Sequence, residues 1–163
     1  MKIAVISDTH DHLNNLESAL GQINMSEAGS IIHCGDLCSP FVIDRIAGFE
    51  GPVDIVFGNN EGDRYTIEKV SMKYPNITIH GDVGFLETEY GTVAFTHRPE
   101  FARGLASTGQ YTAVFYGHTH LRKVERIGGT WLVNPGELMG LREQPGWMLF
   151  DLASGKYKNF DLK

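Results

Sequence analysis

Five short segments carry residue types able to hold a divalent cation: Asp8-Thr9-His10, Gly35-Asp36, Gly58-Asn59, Thr96-His97 and Gly117-His118-Thr119-His120. Their side chains offer carboxylate, imidazole and amide donors, with no soft thiolate among them. Such a mixed oxygen and nitrogen set suits Mn, Fe, Zn, Ni or Co. Asp8, His10, Asp36, Asn59, His97, His118 and His120 make seven candidate ligands, more than one ordinary site uses. Two adjacent ions sharing a carboxylate would use them all. Pairs of that kind, roughly 3.5–4 Å apart, clamp the attacking and leaving oxygens of a phosphoryl displacement.

Each segment directly follows an apolar run. Lys2 to Ser7 is short, aliphatic and β-branched, which predicts a strand. Ser30 to Cys34, Val53 to Phe57, Thr92 to Phe95 and Ala113 to Tyr116 read the same way. Open α/β sheets place their ligands at the carboxyl ends of their strands, where these segments lie. His118 and His120 alternate, so in an extended chain they share a face. Between the strands, Leu13, Leu16, Leu20 and Ile23 recur at helical spacing. Phe41, Ile43, Ile46 and Phe49 predict a short helix after Pro40, and a third helix runs from about Tyr65 to Met72, stopped at Tyr74-Pro75. The second half turns strand-rich: Ile77 to Ile79, Phe85 to Glu89, Val124 to Ile127, Trp131 to Val133, Trp147 to Phe150 and Tyr157 to Leu162. One further helix is expected from about Glu100 to Ser107. Two sheets packed together with helices outside satisfy both halves.

A chain of 163 residues predicts a single domain spanning 1–163. The net charge of −6, with no run of Lys or Arg, argues against a protein that coats nucleic acid or lies on a membrane. It leaves a phosphorylated substrate open, because bound metals supply local positive charge. Cys34 and Cys38 are too few for a disulfide scaffold and read as small buried residues. No leader or membrane-length apolar run is visible, so the expected location is cytoplasmic. His33 lies inside an apolar run and reads as a buried, hydrogen-bonded histidine. His12 and His80 read as a loop and a strand-end residue, Asp11 as an orienting or solvated carboxylate, and Arg142 as exposed.

Taken in order, and joined by Asn134-Pro135-Gly136, the five motifs resemble the calcineurin-like metallophosphoesterase family, most closely its small bacterial and archaeal phosphodiesterases. The resemblance implies an α/β fold of two packed β-sheets flanked by helices, a four-layer sandwich. It implies that Asp8, His10, Asp36 and His120 hold one ion, and that Asp36, Asn59, His97 and His118 hold a second, with Asp36 bridging. The cofactors implied are two divalent ions, manganese first, with Ni, Zn, Fe, Co or Mg as alternatives. The activity implied is attack of a metal-bridging hydroxide on a small phosphodiester; no membrane partner is expected, the acidic charge disfavours nucleic acid, and a homo-oligomer is compatible. Two departures stand out. Relatives with a catalytic acid carry His after the Asn of the Gly-Asn motif, and here that position is Asn60, whose amide cannot protonate a leaving alkoxide. The expectation is therefore either good leaving groups or a leaving oxygen stabilised by a metal, a water or another residue. Arg98-Pro99 replaces the Gly-His that follows the corresponding histidine in many relatives, so Arg98 is a candidate for a bidentate grip on phosphate. Asp36, Asn59, Asn60 and Arg98 are thus the residues expected around the reaction. The alternatives are a phosphomonoesterase or nucleotidase of the same fold, a nuclease using the same site, and a non-catalytic scaffold like the retromer subunit that resembles this fold. The complete ligand set argues against the scaffold.

Overall fold

A computed structural model describes every residue from Met1 to Lys163. In chain order the elements are β1 (Lys2–Ile6), α1 (Leu13–Asn24), β2 (Ser30–His33), α2 (Phe41–Ile46), β3 (Val53–Ile55), α3 (Arg64–Ser71) and β4 (Ile77–Ile79). They continue as β5 (Val83–Thr88), β6 (Gly91–Thr96), α4 (Pro99–Ser107), β7 (Ala113–Phe115), β8 (Lys123–Ile127), β9 (Thr130–Asn134), β10 (Gly146–Asp151) and β11 (Tyr157–Asp161). The strands form a six-stranded sheet, β11-β10-β1-β2-β3-β4, and a five-stranded sheet, β5-β6-β7-β9-β8. β1 to β4 run parallel in the first sheet, as do β6, β7 and β9 in the second.

Alternation along the strands explains the layers. Ile3 and Val5 of β1 and Ile32 of β2 point into the sandwich, where they meet Val93 and Phe95 of β6, Ala113 and Phe115 of β7 and Val133 of β9. Ala4, Ile6, Ile31, Val53 and Ile55 point the other way and are covered by Leu16, Ala19 and Ile23 of α1, Val42 and Ile43 of α2 and Ile67 of α3. On the far side, Ala94, Val114 and Leu132 pack under Ala102 and Ala106 of α4. These central strands are therefore apolar on both faces and read as continuous runs. The expected α/β arrangement, two packed sheets with helices outside, is the one observed. No helix is long and apolar enough to cross a membrane.

Boundaries differ modestly. β2, β3 and β7 stop one or two residues before the ends of their apolar runs. There the chain leaves the ladder; Val56 N–H still donates to His33 O (3.1 Å), but Phe57 N–H donates to Gly81 O (2.7 Å). β5 starts at Val83, ahead of the expected Phe85. Gly84 looks like a breaker in sequence, yet it is paired with Phe95. A Cβ on Gly84 would lie 2.2 Å from the Phe95 ring, so glycine there makes room rather than a turn. His12 caps α1, its Nδ1 accepting from Asn15 N–H (3.3 Å). Pro99 opens α4, which holds the preceding Arg98 in an extended conformation directly after His97.

Candidate metal centre

The loops that follow β1, β2, β3, β6 and β7 converge at one end of the sandwich. Backbone bonds lace the first two together: Asp8 N–H donates to Gly35 O and His10 N–H to Asp36 O, both at 3.0 Å. Left-handed backbone φ angles occur at Asp8 (52°), His10 (44°), Asp36 (56°), His118 (69°) and His120 (61°). The other non-glycine cases, Asp11 and Cys38, lie in the same loops. Such conformations cost of order 1–3 kcal/mol each and persist where surrounding structure holds them. Here the strain falls on five of the seven candidate ligands.

Two clusters result. In one, Asp8, His10 and His120 bring their donor atoms within 4.8 Å of one another. In the other, Asp36, His97 and His118 do the same. Asp36 lies between them: its Oδ2 is 3.5 Å from His10 Nε2 and 3.3 Å from His97 Nε2. Asn59 joins the second cluster, with Oδ1 3.1 Å from His97 Nε2. All seven residues singled out in the sequence are therefore brought together.

The donors fit a bound cation. His97 Nδ1 is 2.8 Å from Cys34 O, which can only accept, so Nδ1 carries the proton. In the neutral ring Nε2 then presents a lone pair to three acceptor-bearing neighbours, Asp36, Asn59 and His118 Nδ1 (3.2 Å). His120 repeats the pattern: Nδ1 donates to Glu137 Oε2 (2.6 Å) and Nε2 faces Asp8 Oδ1 at 3.3 Å. Asp8 Oδ1 and His10 Nε2 are buried without any hydrogen-bond partner; Ser30 Oγ, outside the site, is the only other such atom. Donor atoms that converge in this way, two of them buried without a hydrogen-bond partner, are what a positive ion would satisfy.

The carboxylates pull positive charge to this point, whether a proton on His97 or a cation. Burial pushes the Asp8 carboxyl above its ordinary value, against the opposing pull of His97 and the Ser7 hydroxyl. Burial acts on Asp36 too, but its hydrogen bond and charge interaction with His97, and bonds from Asn60, outweigh it and hold that carboxyl well below the usual range. The His97 ring is raised despite its burial, because Asp36 and Asp8 favour its charged form. His118 is lowered by burial and by the charges of His97 and Arg98.

Several supporting residues were not singled out in the sequence. Glu137 is buried, and its carboxylate accepts from His120 and from the backbone N–H groups of Arg142 and Glu143. It fixes the His120 tautomer. Glu137→Gln is expected to weaken metal binding at the Asp8, His10 and His120 cluster by about 10–100-fold. Competition with a chromophoric chelator measures this, and unchanged affinity would refute the role. Glu61 ties two loops together, accepting from Leu37 N–H (3.0 Å) and Gly58 N–H (2.7 Å). Asn134, already named in the Asn134-Pro135-Gly136 segment, supports the site as well: its Nδ2 donates to Gly117 O (2.8 Å) and Thr119 Oγ1 (3.1 Å), bracing the loop that carries His118.

His33 is buried and bonded, as expected. Gly35 N–H donates to its Nδ1 (3.1 Å), so Nε2–H donates to Thr9 Oγ1 (2.7 Å). Burial, with the nearby His97 charge, lowers its pKa from 6.5 to about 3. Only the unfolded chain then binds this proton between those values. The contribution of His33 to stability is complete above 6.5 and falls as pH drops toward 3. NMR of the ring should show no protonation until well below 6.5.

The remaining candidates are placed as follows. Asn60 Nδ2 donates to Asp36 Oδ2 (2.7 Å), and the Asn59 and Asn60 N–H groups donate to Oδ1 (2.7 and 2.9 Å). Arg98 is exposed on the wall of a cleft beside His97. Asp11 Oδ1 accepts from Ser39 N–H (3.0 Å) and its hydroxyl (2.5 Å), so it braces the loop after Asp36 rather than orienting a ligand. Cys34 is buried between the sheets, whereas Cys38 is half-buried with Sγ 3.6 Å from His10 Nδ1. Burial and surrounding carboxylates push that thiol up to about 12, so it stays protonated. Arg142 is exposed.

Comparison with known proteins fits this geometry. Residues 1–155 match the model of the calcineurin-like phosphoesterase superfamily domain. Phosphodiesterase MJ0936 of Methanocaldococcus jannaschii is 32% identical, with 100% of each chain covered. The solved structure of an archaeal phosphodiesterase superposes with a TM-score of 0.92 at 31% identity, covering 99% of this chain and 100% of that one. Yfce, a phosphoesterase from E. coli, shares the fold with a TM-score of 0.69 at 19% identity, with both chains fully covered (100%). With its fold and nearly its whole length matched in this way, the chain belongs to the calcineurin-like phosphoesterase superfamily and is a hydrolase of phosphoric esters.

Proposed function

We propose that this protein is a dinuclear, divalent-metal-dependent phosphodiesterase. The observation that carries the proposal is the convergence of the His10, His97 and His120 Nε2 atoms on the Asp8 and Asp36 carboxylates. Asp8, His10, Asp36 and His120 would hold one ion, and Asp36, Asn59, His97 and His118 the other. The ligand set is all oxygen and nitrogen, which suits manganese among several divalent ions. When bound, such ions make water a nucleophile near neutral pH and offset the charge that develops on a phosphoryl group.

The chain's own residues set the remaining terms. The Asn59 and Asn60 N–H groups fix Asp36 Oδ1, so its carboxylate cannot rotate away from the two clusters. The Arg98 guanidinium, beside His97 and free of acidic partners, would grip non-bridging phosphate oxygens. Asn60 places an amide, not an acid, beside Asp36. A positioned general acid contributes about 10²–10⁴-fold. Its absence predicts steep loss of turnover as the leaving alcohol becomes less acidic, with alkyl esters slower than aryl esters by at least about 10²-fold beyond their intrinsic difference. A leaving-group series measures this slope.

The full chain of the M. jannaschii relative is named a phosphodiesterase, which favours diesters over monoesters here. Hydrolysis of an aryl phosphodiester and of the matching aryl monoester with added Mn tests the choice. Faster monoester turnover would overturn it in favour of a phosphomonoesterase or nucleotidase. Metal-loaded protein inert toward every ester would return the scaffold reading.

A further inference from the structure

Four carboxylates are buried in this fold. Asp8, Asp36 and Glu137 belong to the candidate metal centre or support it. The fourth, Asp54, lies in the middle of β3, in register with Ile32 of β2 and Thr78 of β4. It shares the face of Ile32, which points between the sheets. There its Oδ1 meets His80 Nε2 at 2.7 Å. The His80 ring stands edge-on to Phe95 of β6, with ring centres 5.0 Å apart and planes at 81°. The pair thus reaches from the first sheet to the second, at the margin where β4 turns into β5. No hydroxyl or thiol bonds to the His80 ring, so the pair does not activate a nucleophile.

A carboxylate facing an apolar layer costs free energy unless it is bonded, and an apolar pair of similar volume often serves stability as well. What the bonded pair supplies is a fixed direction. His80 opens the corner His80-Gly81-Asp82, and each residue of that corner is tied to a neighbour. His80 N–H donates to Ile55 O (2.9 Å), Gly81 O accepts from Phe57 N–H (2.7 Å), and Asp82 O accepts from the Thr96 hydroxyl (2.9 Å). Gly81 bends the corner with a left-handed φ of 74°. Phe57 leads directly into Gly58-Asn59, and Thr96 directly precedes His97. The corner is therefore a strut between the two segments that carry Asn59 and His97.

We propose that Asp54 and His80 are positioning residues for the second ion, the one assigned to Asp36, Asn59, His97 and His118. The proposal rests on the dinuclear reading above and adds a control that acts on one half of the centre. The first cluster is held by other bonds: Asp8 N–H to Gly35 O, His10 N–H to Asp36 O, and His120 Nδ1 to Glu137 Oε2. None of them touches the corner between β4 and β5. Loss of the Asp54–His80 bond frees the His80 ring and lets the corner move. The spacing of Asn59 Oδ1 and His97 Nε2, 3.1 Å in this structure, is then no longer fixed. Affinity for the second ion falls, and affinity for the first does not.

The test uses two full-length backgrounds that each keep one cluster. His10→Ala retains the four residues of the second site, and His118→Ala retains those of the first. Asp54→Ala is added to each, and Mn affinity is measured by competition with a chromophoric chelator. It is expected to fall at least about tenfold in the His10→Ala background and to stay within about twofold in the other, in keeping with the effect of residues that orient a ligand. An equal loss in both backgrounds would make the pair an ordinary core contact and overturn the proposal, and no loss in either would do the same. Asp54→Asn keeps an acceptor oxygen for the His80 ring and is expected to restore most of the affinity. A loss as large as with alanine would refute the bond as the brace. Amide exchange on the metal-free chain reads the strut directly. In Asp54→Ala alone, Phe57 N–H is expected to exchange at least about tenfold faster, with Asp8 and His10 N–H unchanged. Unchanged exchange at Phe57 would overturn the proposal. Failure of the dinuclear reading shows differently: neither parent background would then hold Mn, and the exchange rates alone would decide on the strut.

Discussion

Asp36→Asn is expected to lower phosphodiester turnover by at least about 10³-fold, about 4 kcal/mol of barrier, and to release at least one metal ion per chain. The reason is position. Asp36 Oδ2 faces both clusters, 3.5 Å from His10 Nε2 and 3.3 Å from His97 Nε2. Its other oxygen already accepts two backbone N–H groups, from Asn59 and Asn60. Those donors would choose the amide oxygen of an asparagine and turn its NH₂ group toward the clusters. An NH₂ group has no lone pair for a cation and carries no charge. One substitution therefore removes the only shared donor, and with it the coupling between the two halves of the centre. Metal content by mass spectrometry, read beside hydrolysis of bis(p-nitrophenyl) phosphate, measures both effects. A variant that kept two ions and full activity would refute the assignment.

Gly58→Ala should nearly match it, although it removes no donor atom. A Cβ at this position would lie 2.1 Å from Asp36 Oδ1 and 2.6 Å from the Asp36 backbone nitrogen. A backbone atom cannot swing aside, so the loop carrying Asn59 and the loop carrying Asp36 must separate. That breaks the two N–H bonds to the carboxylate and strains the Glu61 clasp. Overpacking of this kind costs about 1–3 kcal/mol, enough to lower the melting temperature by several degrees. Activity is expected to fall by at least about 10²-fold, because a misplacement near 1 Å at a reacting centre costs that much. Gly62 is the control: nothing lies within 4 Å of its Cβ position, and Gly62→Ala should change neither quantity. Loss of activity in both variants alike would refute the steric account.

Much of this was legible in the chain. The strands that carry the ligands are apolar on both faces, as Ile3 and Ala4 of β1 illustrate, so they stand out as unbroken runs. Each run ends abruptly in a residue type that has little reason to follow it except chemistry. The family match and the TM-score of 0.92 bear out the fold and the family read from those motifs. What stayed hidden depends on distance in the chain. Glu137 looks like any loop carboxylate until the backbone of Arg142 and Glu143 folds over it and His120, 17 residues earlier, points at it. Glu61 likewise gains its meaning from Leu37, 24 residues away. Asn60 was conspicuous as a departure, but its bond to Asp36 could not be read from its neighbours.

Each cluster draws from both sheets. Asp8 and His10 follow β1 of the six-stranded sheet, while their partner His120 follows β7 of the five-stranded one; Asp36 follows β2, and its partners His97 and His118 follow β6 and β7. During synthesis the carboxylates therefore emerge long before the imidazoles that complete them. A nascent chain that has not yet released residue 120 carries acidic half-sites and no finished pocket for an ion. Metal capture must wait for nearly three quarters of the polypeptide, and the ion reports that the two sheets have met in the right alignment.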